Sequence, residues 1–313
     1  MPCLSHIIEE KIFPHLRLDR YVSINLRVLT RSQIKTRNLK AKINGKDVKL
    51  SYLVKQGDNL ELIWTDSPPV DLIPQDIPLK IIYEDKRCVV VNKAQGMVVH
   101  PGAGNRQGTL ANALYFRQKN IFKTQGNCYA NNDSLRPGIV HRLDKQTSGI
   151  IIAAYDEEAH AFLSGQFKSR SVKKYYIAIT QGTPSAAQGR IETFIARDPD
   201  NRKRFTVSAN GKTAVTFYKV IKNWKNYSLV LLRPRTGRTH QLRVHLRHLG
   251  NPILGDPVYG HADSLFPQAS LMLHSKKLAI ILPDETEERI FSTNVPERFT
   301  GVMKKLDKVN SNE

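Results

Sequence analysis

The sequence predicts an α+β protein of two domains, a small basic N-terminal module followed by a larger strand-rich domain. Apolar residues recur at helical spacing near the N-terminus, and an Asn-Gly turn signal follows them. From residue 79 onward, short apolar runs rich in β-branched residues follow one another, which is typical of strands. A chain of 313 residues has room for roughly two domains. We therefore predict a module over 14–66, a proline-rich linker over 67–78, a second domain over 79–303 and a disordered tail over 304–313.

The chain carries a large excess of positive charge. Lys and Arg number 48 against 28 Asp and Glu, for a formal net charge of +20. Because the cations lie within patterned segments, we expect a polyanionic partner, either nucleic acid or an anionic membrane. Cys3, Cys88 and Cys128 are far apart, which gives no disulfide framework or thiolate metal site and favours a cytoplasmic location. No stretch is long and apolar enough to span a membrane, and the early acidic residues do not fit a secretory signal.

The N-terminal module is predicted to contain two helices and a hairpin. The apolar stripe of the first helix is formed by Leu18, Val22, Leu26 and Leu29. Thr30, with Gln33 three residues later, is a capping-box pattern that begins the second helix. Asn44-Gly45 then predicts a hairpin, because both central residues of such a turn need a positive φ.

One face of this module is basic, with cations at Arg27, Arg31, Lys35, Arg37, Lys40, Lys42, Lys46 and Lys49. Arg31 and Lys35 share one side of the second helix, since they are four residues apart. The order R-L-D-R-Y, S-Q-I-K and I-N-G-K resembles the S4 RNA-binding module. That resemblance implies RNA contacts by Arg31, Lys35, Lys42 and Lys46. The alternative is a solvated charged face on a small interaction domain.

The second domain is predicted to contain many strands and few helices. A polar turn joins the strand pair Leu79–Tyr83 and Val89–Asn92, and Thr109 and Asp156 each cap a helix. Further strands are predicted over Tyr175–Thr180, Gly189–Ala196, Ala214–Val220 and Leu229–Leu232. The glycine-rich loop His100–Asn105 matches neither the Walker nor the dinucleotide pattern, so we predict no nucleotide cofactor.

A polar loop, 141–148, lies between two apolar runs, Ile139-Val140 and Gly149–Ala154. We predict both runs to be buried strands. Within it, Asp144 lies close to Arg142 and Lys145, and a carboxylate near such charges stays ionised at pH 7. An ionised aspartate on a strand-flanked loop can be a nucleophile, a general base or a metal ligand. From residue types alone, a surface loop with a local salt bridge is the alternative.

The segment 233–248 is the second polar stretch of interest. Arg235, Arg238 and Arg243 form a cluster suited to anions, because guanidinium groups match phosphate or carboxylate oxygens. His240 and His245 have a spacing that is not a standard zinc pattern, and no Cys or acidic pattern accompanies them. We therefore predict no metal.

Four motifs in this order resemble the RluA family of pseudouridine synthases: H-R-L-D-K-x-T-S-G, K-x-Y-x-A, T-G-R-T-H-Q-L-R-V-H and P-I-L-G-D-P-V-Y-G. The resemblance as a whole runs from about Leu79 to Leu282. The resemblance implies a catalytic domain built on a large mixed, mostly antiparallel sheet. It implies isomerisation of uridine to pseudouridine in RNA without a cofactor, because no redox change occurs and no group is imported.

The resemblance also implies roles for individual residues. Asp144 is the catalytic aspartate, which either attacks the sugar or abstracts a proton while the base leaves. Arg243 is expected to pair with Asp144, with Arg238 as the second choice, and Tyr176 to pack on the flipped uracil. We assign Arg142, Arg238 and His240 to RNA contacts.

The V-V-H-P-G-A-G-N stretch is most similar to the RluD branch of the family, which modifies helix 69 of large-subunit (23S) ribosomal RNA. Gln146 departs from the family, which often has an acid at that position. We expect a monomer. The alternatives are the same chemistry at other ribosomal or transfer RNA uridines, and a non-catalytic RNA-binding or ribosome-assembly protein.

Overall fold

A computed structural model describes residues 3–9, 16–26, 28–29, 33–34, 37–65, 72–102, 104–125, 138–201 and 203–311, with backbone only for 120–125. The chain divides into two compact units, Met1–Asp71 and Leu72–Glu313. The division lies inside the proline-rich segment. Residues 72–78 join the second unit, where the backbone N–H of Gln75 donates to the Asn112 carbonyl at 3.1 Å.

The N-terminal unit is a helix beside a small antiparallel sheet. Its elements are β1 Cys3–Ile7, α1 Leu18–Ile24, β2 Lys40–Ile43, β3 Lys46–Val48 and β4 Asn59–Ile63, and the strand order is β1-β4-β2-β3. The predicted hairpin is confirmed, with φ of 51° at Asn44 and 77° at Gly45. Two details of the prediction were wrong. The module begins before residue 14, because β1 completes its sheet, and α1 ends at Ile24, before Leu26 and Leu29.

The predicted second helix of this unit falls largely outside the described residues. Gln33 and Ile34 are helical, but Thr30, Arg31 and Lys35 are not among the described positions. The apolar stripe still contributes to the core, because Leu18 and Val22 are fully buried against Leu60 and Leu62 of β4. Burial of these side chains is the main stabilising term for so small a unit.

The second unit is built on one large sheet. Its elements are β5 Lys80–Glu84, β6 Cys88–Lys93, α2 Leu110–Gln125, β7 Ser148–Ala154, α3 Glu157–Ser169, β8 Lys173–Gln181, β9 Gln188–Arg197, β10 Phe205–Val207, β11 Lys212–Trp224, β12 Tyr227–Pro234, α4 Gln241–His248, β13 Leu273–Ile281, β14 Glu288–Ser292 and α5 Glu297–Ser311. The strand order is β10-β9-β11-β12-β8-β13-β7-β6-β5, and β14 also pairs with β13. Among these described strands, only β13 and β7 pair in parallel. The predicted mixed, mostly antiparallel sheet is therefore confirmed.

Strand β7 supports the polar loop and is buried along its whole length, as its apolar sequence predicted. Alternate side chains point to opposite faces. Ile151 therefore joins the core cluster that contains residues of α2, and Ile152 joins the cluster that contains residues of α3. Gly149 has φ of 115°, and a Cβ there would lie 2.2 Å from the Ser275 carbonyl oxygen, so the parallel pairing with β13 requires glycine.

The predicted partner strand at Ile139-Val140 was wrong. Only a single bridge forms there, between Ile139 and Ala153, so the chain enters the polar loop from an irregular segment. The helix cap predicted at Asp156 is confirmed, because its carboxylate accepts from the backbone N–H of Ala159 at 2.8 Å.

The disordered tail predicted over 304–313 was also wrong. Helix α5 runs to Ser311 and buries Phe299, Val302 and Leu306. The carboxylate of Asp307 accepts hydrogen bonds from Lys222 Nζ and Trp224 Nε1 of β11, each at 2.6 Å. The lysine-rich composition suggested disorder, but the apolar residues lie on one face of a helix that the sheet covers. Within the described ranges, no helix is long and apolar enough to cross a membrane.

Candidate active site

A pocket of about 460 Å³, lined by several charged side chains, opens between the 141–144 loop, the start of β8 and the segment that leads into α4. The sequence-predicted residues that line it are Arg142, Asp144, Tyr176, Arg235, Arg238, His240 and Arg243. These residues come from three separate parts of the sequence. The fold therefore brings the catalytic candidates together with all three members of the predicted arginine cluster.

The loop that carries Asp144 is fixed by backbone contacts. The N–H of Thr147 donates to the Asp144 carbonyl at 3.0 Å, and the N–H of Gly96 donates to the Lys145 carbonyl at 2.9 Å. The Asp144 side chain is only 22% exposed, so it faces the pocket from a held position. A rigid support of this kind is what a reactive carboxylate needs.

Lys93 lies beneath this loop and was not singled out from the sequence. Its side chain is almost fully buried, and Nζ donates to the carbonyls of Ala94 at 2.9 Å, Met97 at 2.8 Å and Lys145 at 3.3 Å. Burial lowers the pKa of Lys93 to about 8, and the negative charge of Asp144 acts in the opposite direction. The signal in the sequence was a lysine at the end of a buried apolar strand, because such a cation needs partners.

Arg243 is the guanidinium nearest to Asp144, with Nη1 3.5 Å from Oδ2. Its other nitrogens bind Asp256 in a bidentate pair, Nε to Oδ2 at 2.7 Å and Nη2 to Oδ1 at 2.6 Å. Burial alone would lower the pKa of Arg243, but hydrogen bonds and charge from Asp256, together with Asp144, raise it. The site therefore holds a permanent cation beside the Asp144 carboxylate.

Asp256 aims this guanidinium, and sequence analysis missed it. Its side chain is fully buried, and Oδ1 also accepts from the backbone N–H groups of Val258 at 2.9 Å and Tyr259 at 3.0 Å. A carboxylate held by two backbone donors cannot easily turn away from Arg243. The available signal was an acid in a turn, between Gly255 and Pro257, with no cationic neighbour in sequence.

His240 is the second group that faces Asp144, with Nε2 3.9 Å from Oδ2. It has φ of 56°, a left-handed conformation immediately before α4, and Nδ1 lies 2.9 Å from the hydroxyl of Tyr259. That hydroxyl also accepts from the Phe205 N–H at 2.8 Å, so Tyr259 links the imidazole to β10. Burial lowers the pKa of His240, although Asp144 acts in the opposite direction.

Tyr176 of β8 lines the same pocket and is 8% exposed. Burial raises the pKa of its phenol to about 12, with a hydrogen bond to Ser275 acting in the opposite direction and Asp144 adding to the rise. The phenol is therefore neutral at physiological pH. It presents an aromatic ring and a polar hydroxyl to whatever enters the pocket.

The remaining predicted RNA-binding residues have different positions. Arg142 is exposed at the pocket, and Arg238 Nε donates to the Thr213 carbonyl at 3.0 Å. Lys42 lies on β2 and Lys46 on β3 of the N-terminal unit, and Lys46 is exposed. Arg31 and Lys35 lie outside the described residues.

The second histidine of the segment 233–248 lies away from the pocket. His245 is fully buried and bonds to Thr193 and Thr216 instead of facing the pocket. Across the described part of the chain, no three His, Cys, Asp or Glu side chains are grouped as metal ligands would be.

Comparisons with known proteins agree on one family. A family model for RNA pseudouridylate synthase matches residues 87–248. Ribosomal large subunit pseudouridine synthase D of Borreliella burgdorferi is 45% identical over 291 residues, covering 91% of this chain and 87% of that protein. The protein of the same name in Zymomonas mobilis is 41% identical, and the match covers 81% of this chain and 82% of that protein. The solved structure of Human RNA Pseudouridylate Synthase Domain Containing 4 has a TM-score of 0.58 and 28% identity, covering 73% of this chain and 93% of that chain.

The matched region 87–248 contains Asp144, Tyr176 and Arg243, and the likeness to the two bacterial proteins extends well beyond it. Sequence motifs, the large mixed sheet and the relatives therefore lead to the same assignment. The chain belongs to the RluA family of RNA pseudouridine synthases and is an isomerase that acts on RNA.

Proposed function

We propose that this enzyme converts specific uridines of 23S ribosomal RNA to pseudouridine, that its target lies in helix 69, and that Asp144 is the catalytic residue. The two bacterial relatives are named as large-subunit pseudouridine synthases, which supports the choice of RNA. The V-V-H-P-G-A-G-N stretch supports the choice of branch. A cytoplasmic monomer remains our expectation.

The reaction needs no group from outside the substrate. The bond between C1′ and N1 of uridine breaks, the uracil turns, and a bond forms between C1′ and C5. N1 gains a proton and C5 loses one, so atoms and electrons balance. Asp144 acts either as a nucleophile at the sugar or as the base that abstracts a proton while uracil leaves.

One observation carries this proposal: an accessible carboxylate meets a buried, fixed guanidinium in a pocket. Arg243 Nη1 lies 3.5 Å from Asp144 Oδ2 while Asp256 holds the rest of the guanidinium. In a partly enclosed pocket such a cation attracts the carboxylate and limits its movement. A surface loop with a local salt bridge would not need a buried arginine held from behind.

The pocket suits an extruded base. A uridine inside a stem cannot be reached in place, so the enzyme must flip it or act on a loop. Tyr176 then provides a ring against the uracil, and Arg142, Arg238 and His240 lie at the pocket to contact the RNA.

The N-terminal unit would add phosphate contacts. A helix beside an Asn-Gly hairpin, with Lys42 and Lys46 on adjacent strands, supports an S4-like role. We extend this role to Arg31 and Lys35 on sequence grounds. Neutralising phosphates releases counterions, so binding should weaken steeply as salt rises.

Mass-spectrometric mapping of pseudouridine in large-subunit RNA tests the proposal. Cells lacking the gene are complemented with the wild type, with Asp144→Asn, or with Asp47→Asn, a matched control at an exposed carboxylate. Loss in helix 69, restored by the wild type and Asp47→Asn only, is the expected result. Loss at another uridine would refute the helix 69 target and keep the chemistry. If Asp144→Asn also restored the modification, the catalytic assignment would be wrong.

A further inference from the structure

A second pocket of about 410 Å³ adjoins the active site. It lies between β9, β10 and the start of β11, and its lining includes Gly237, Arg238 and Thr239. The same three residues also line the catalytic pocket, so the two cavities share one wall. We propose that this second pocket binds the nucleotide adjacent to the target uridine, with its phosphate held by Arg197, Lys212 and Arg238.

Three cationic residues line this second pocket: Arg197, Lys212 and Arg238. Arg238 lies along β11, where Nε donates to the Thr213 carbonyl at 3.0 Å, next to Lys212. Arg197 ends β9, and both Arg197 and Lys212 are exposed. No carboxylate is among the described residues that line the cavity. An anion is therefore the ligand that this wall favours, and guanidinium groups match phosphate oxygens in particular.

An aromatic ring completes the pocket. Phe205 pairs with Arg197 across β10 and β9, and the Arg197 guanidinium carbon lies 5.0 Å from the ring centroid. The His240 ring also contacts this ring, with centroids 5.6 Å apart and ring planes at 74°. Since His240 Nε2 is 3.9 Å from Asp144 Oδ2, the contacts run continuously from the second pocket to the catalytic carboxylate. A ring beside cations is how proteins hold single-stranded RNA without reading its sequence.

Backbone packing fixes the position of Lys212. A Cβ on Gly211 would lie 2.6 Å from backbone atoms of Ile195, so only glycine allows the turn to approach β9 this closely. The N–H of Gly211 donates to the Ser208 carbonyl at 2.9 Å, and Lys212 pairs with Ile195 directly after it. The lysine is thus presented from a rigid strand end.

The inference rests on the proposed entry of uridine into the catalytic pocket, because only then does the neighbouring phosphate reach this wall. It adds a subsite that recognises the RNA chain independently of the base that reacts. Removing the charge of Arg197 or Lys212, which do not line the catalytic pocket, should weaken RNA binding without changing the chemistry at Asp144.

A thermodynamic cycle between protein and RNA tests the subsite. The probe is a short RNA with one uridine among adenosines, made with every phosphate intact or with one phosphate replaced by a neutral methylphosphonate. Binding is measured on Asp144→Asn protein, which prevents turnover, with and without Lys212→Gln or Arg197→Gln. The matched control is Lys304→Gln, which removes an exposed cation from α5. Circular dichroism checks that each variant is folded.

We expect Lys212→Gln to weaken binding of the intact RNA by about 3- to 10-fold, the range of an exposed phosphate contact. The second RNA carries a neutral methylphosphonate at one position beside the uridine. On this RNA the same substitution should lower the affinity by less than about 2-fold, because the phosphate that Lys212 would contact is already absent. Equal losses on every RNA, or losses no larger than those of Lys304→Gln, would overturn the subsite. This binding cycle does not depend on which uridine is modified in the cell. An error in the helix 69 assignment and an error in the subsite would therefore be distinguished.

Discussion

Replacing Asp256 tests whether the active-site cation depends on a buried partner. In Asp256→Ala, Arg243 keeps its charge but loses both hydrogen bonds, at 2.6 and 2.7 Å, inside a site where its side chain is only 6% exposed. Breaking a buried pair from one side costs about 3–5 kcal/mol, and in this variant the buried guanidinium keeps only its longer contact with Asp144. The N–H groups of Val258 and Tyr259 also lose their acceptor, which places the expected loss toward the upper end.

The free energy of unfolding is measured by urea denaturation followed by circular dichroism. Glu158→Ala is the matched control, because that carboxylate is 86% exposed and pairs with Arg87 at the surface. A surface pair contributes about 0–1 kcal/mol, so the control should change little. A loss below about 0.5 kcal/mol in Asp256→Ala would refute the view that Arg243 depends on Asp256.

Turnover separates stability from positioning. A guanidinium that is free to move no longer meets Asp144 at a fixed distance, and we expect kcat to fall by about 10- to 100-fold. The double variant Arg243→Met with Asp256→Leu removes both charges, which should return much of the stability, since apolar replacements of buried pairs are often neutral. It should remain inactive. Recovery of turnover in this double variant would show that Arg243 is not needed for catalysis.

Three further predictions concern other parts of the catalytic domain. Lys93→Met should lower kcat in steady-state assays, because the carbonyl of Lys145, next to Asp144, loses a buried donor; unchanged kcat would contradict the role of Lys93 in holding this loop. His141 accepts from the Ile152 N–H at 3.0 Å, and burial with the charge of Lys174 lowers its pKa to about 3 from 6.5. Between these values the unfolded chain binds the proton and the folded chain does not, so the unfolding free energy should fall by up to about 1.4 kcal/mol per pH unit as pH decreases from 6.5. His141→Gln should remove that slope, and parallel pH profiles for the two proteins would refute it. Leu306→Ala should lower the free energy of unfolding, measured with urea, by about 2–5 kcal/mol. Lys304→Gln should leave it nearly unchanged. Equal losses in the two variants would mean that α5 does not depend on its apolar face.

Local patterns predicted several elements of both units. The apolar run at Gly149–Ala154 is a strand because covered strands need such runs, and Asn44-Gly45 turns a hairpin because its backbone conformation is local. The Asp156 cap is formed with Ala159, three residues away. In each case the stabilising contact is near in sequence or depends on composition alone.

Errors arose where distant residues decide the outcome. The tail composition favoured disorder, but α5 is ordered by Trp224 and the apolar residues that cover it. The run at Ile139-Val140 resembles a strand, but a single bridge to Ala153 is all that forms. Composition describes what a segment tends to do alone, and burial by a partner can reverse that tendency.

The sequence by itself determined the family, the reactive residue types and the local elements that carry them. Only the tertiary structure decided which charges meet. Arg243 lies against Asp144, whereas Arg238 bonds to Thr213 and faces a second pocket. Asp256 and Lys93, which support the site, are identified by burial and not by spacing. The physical reason is that a charge pair is governed by distance and desolvation, and both are set by packing between residues far apart in the chain.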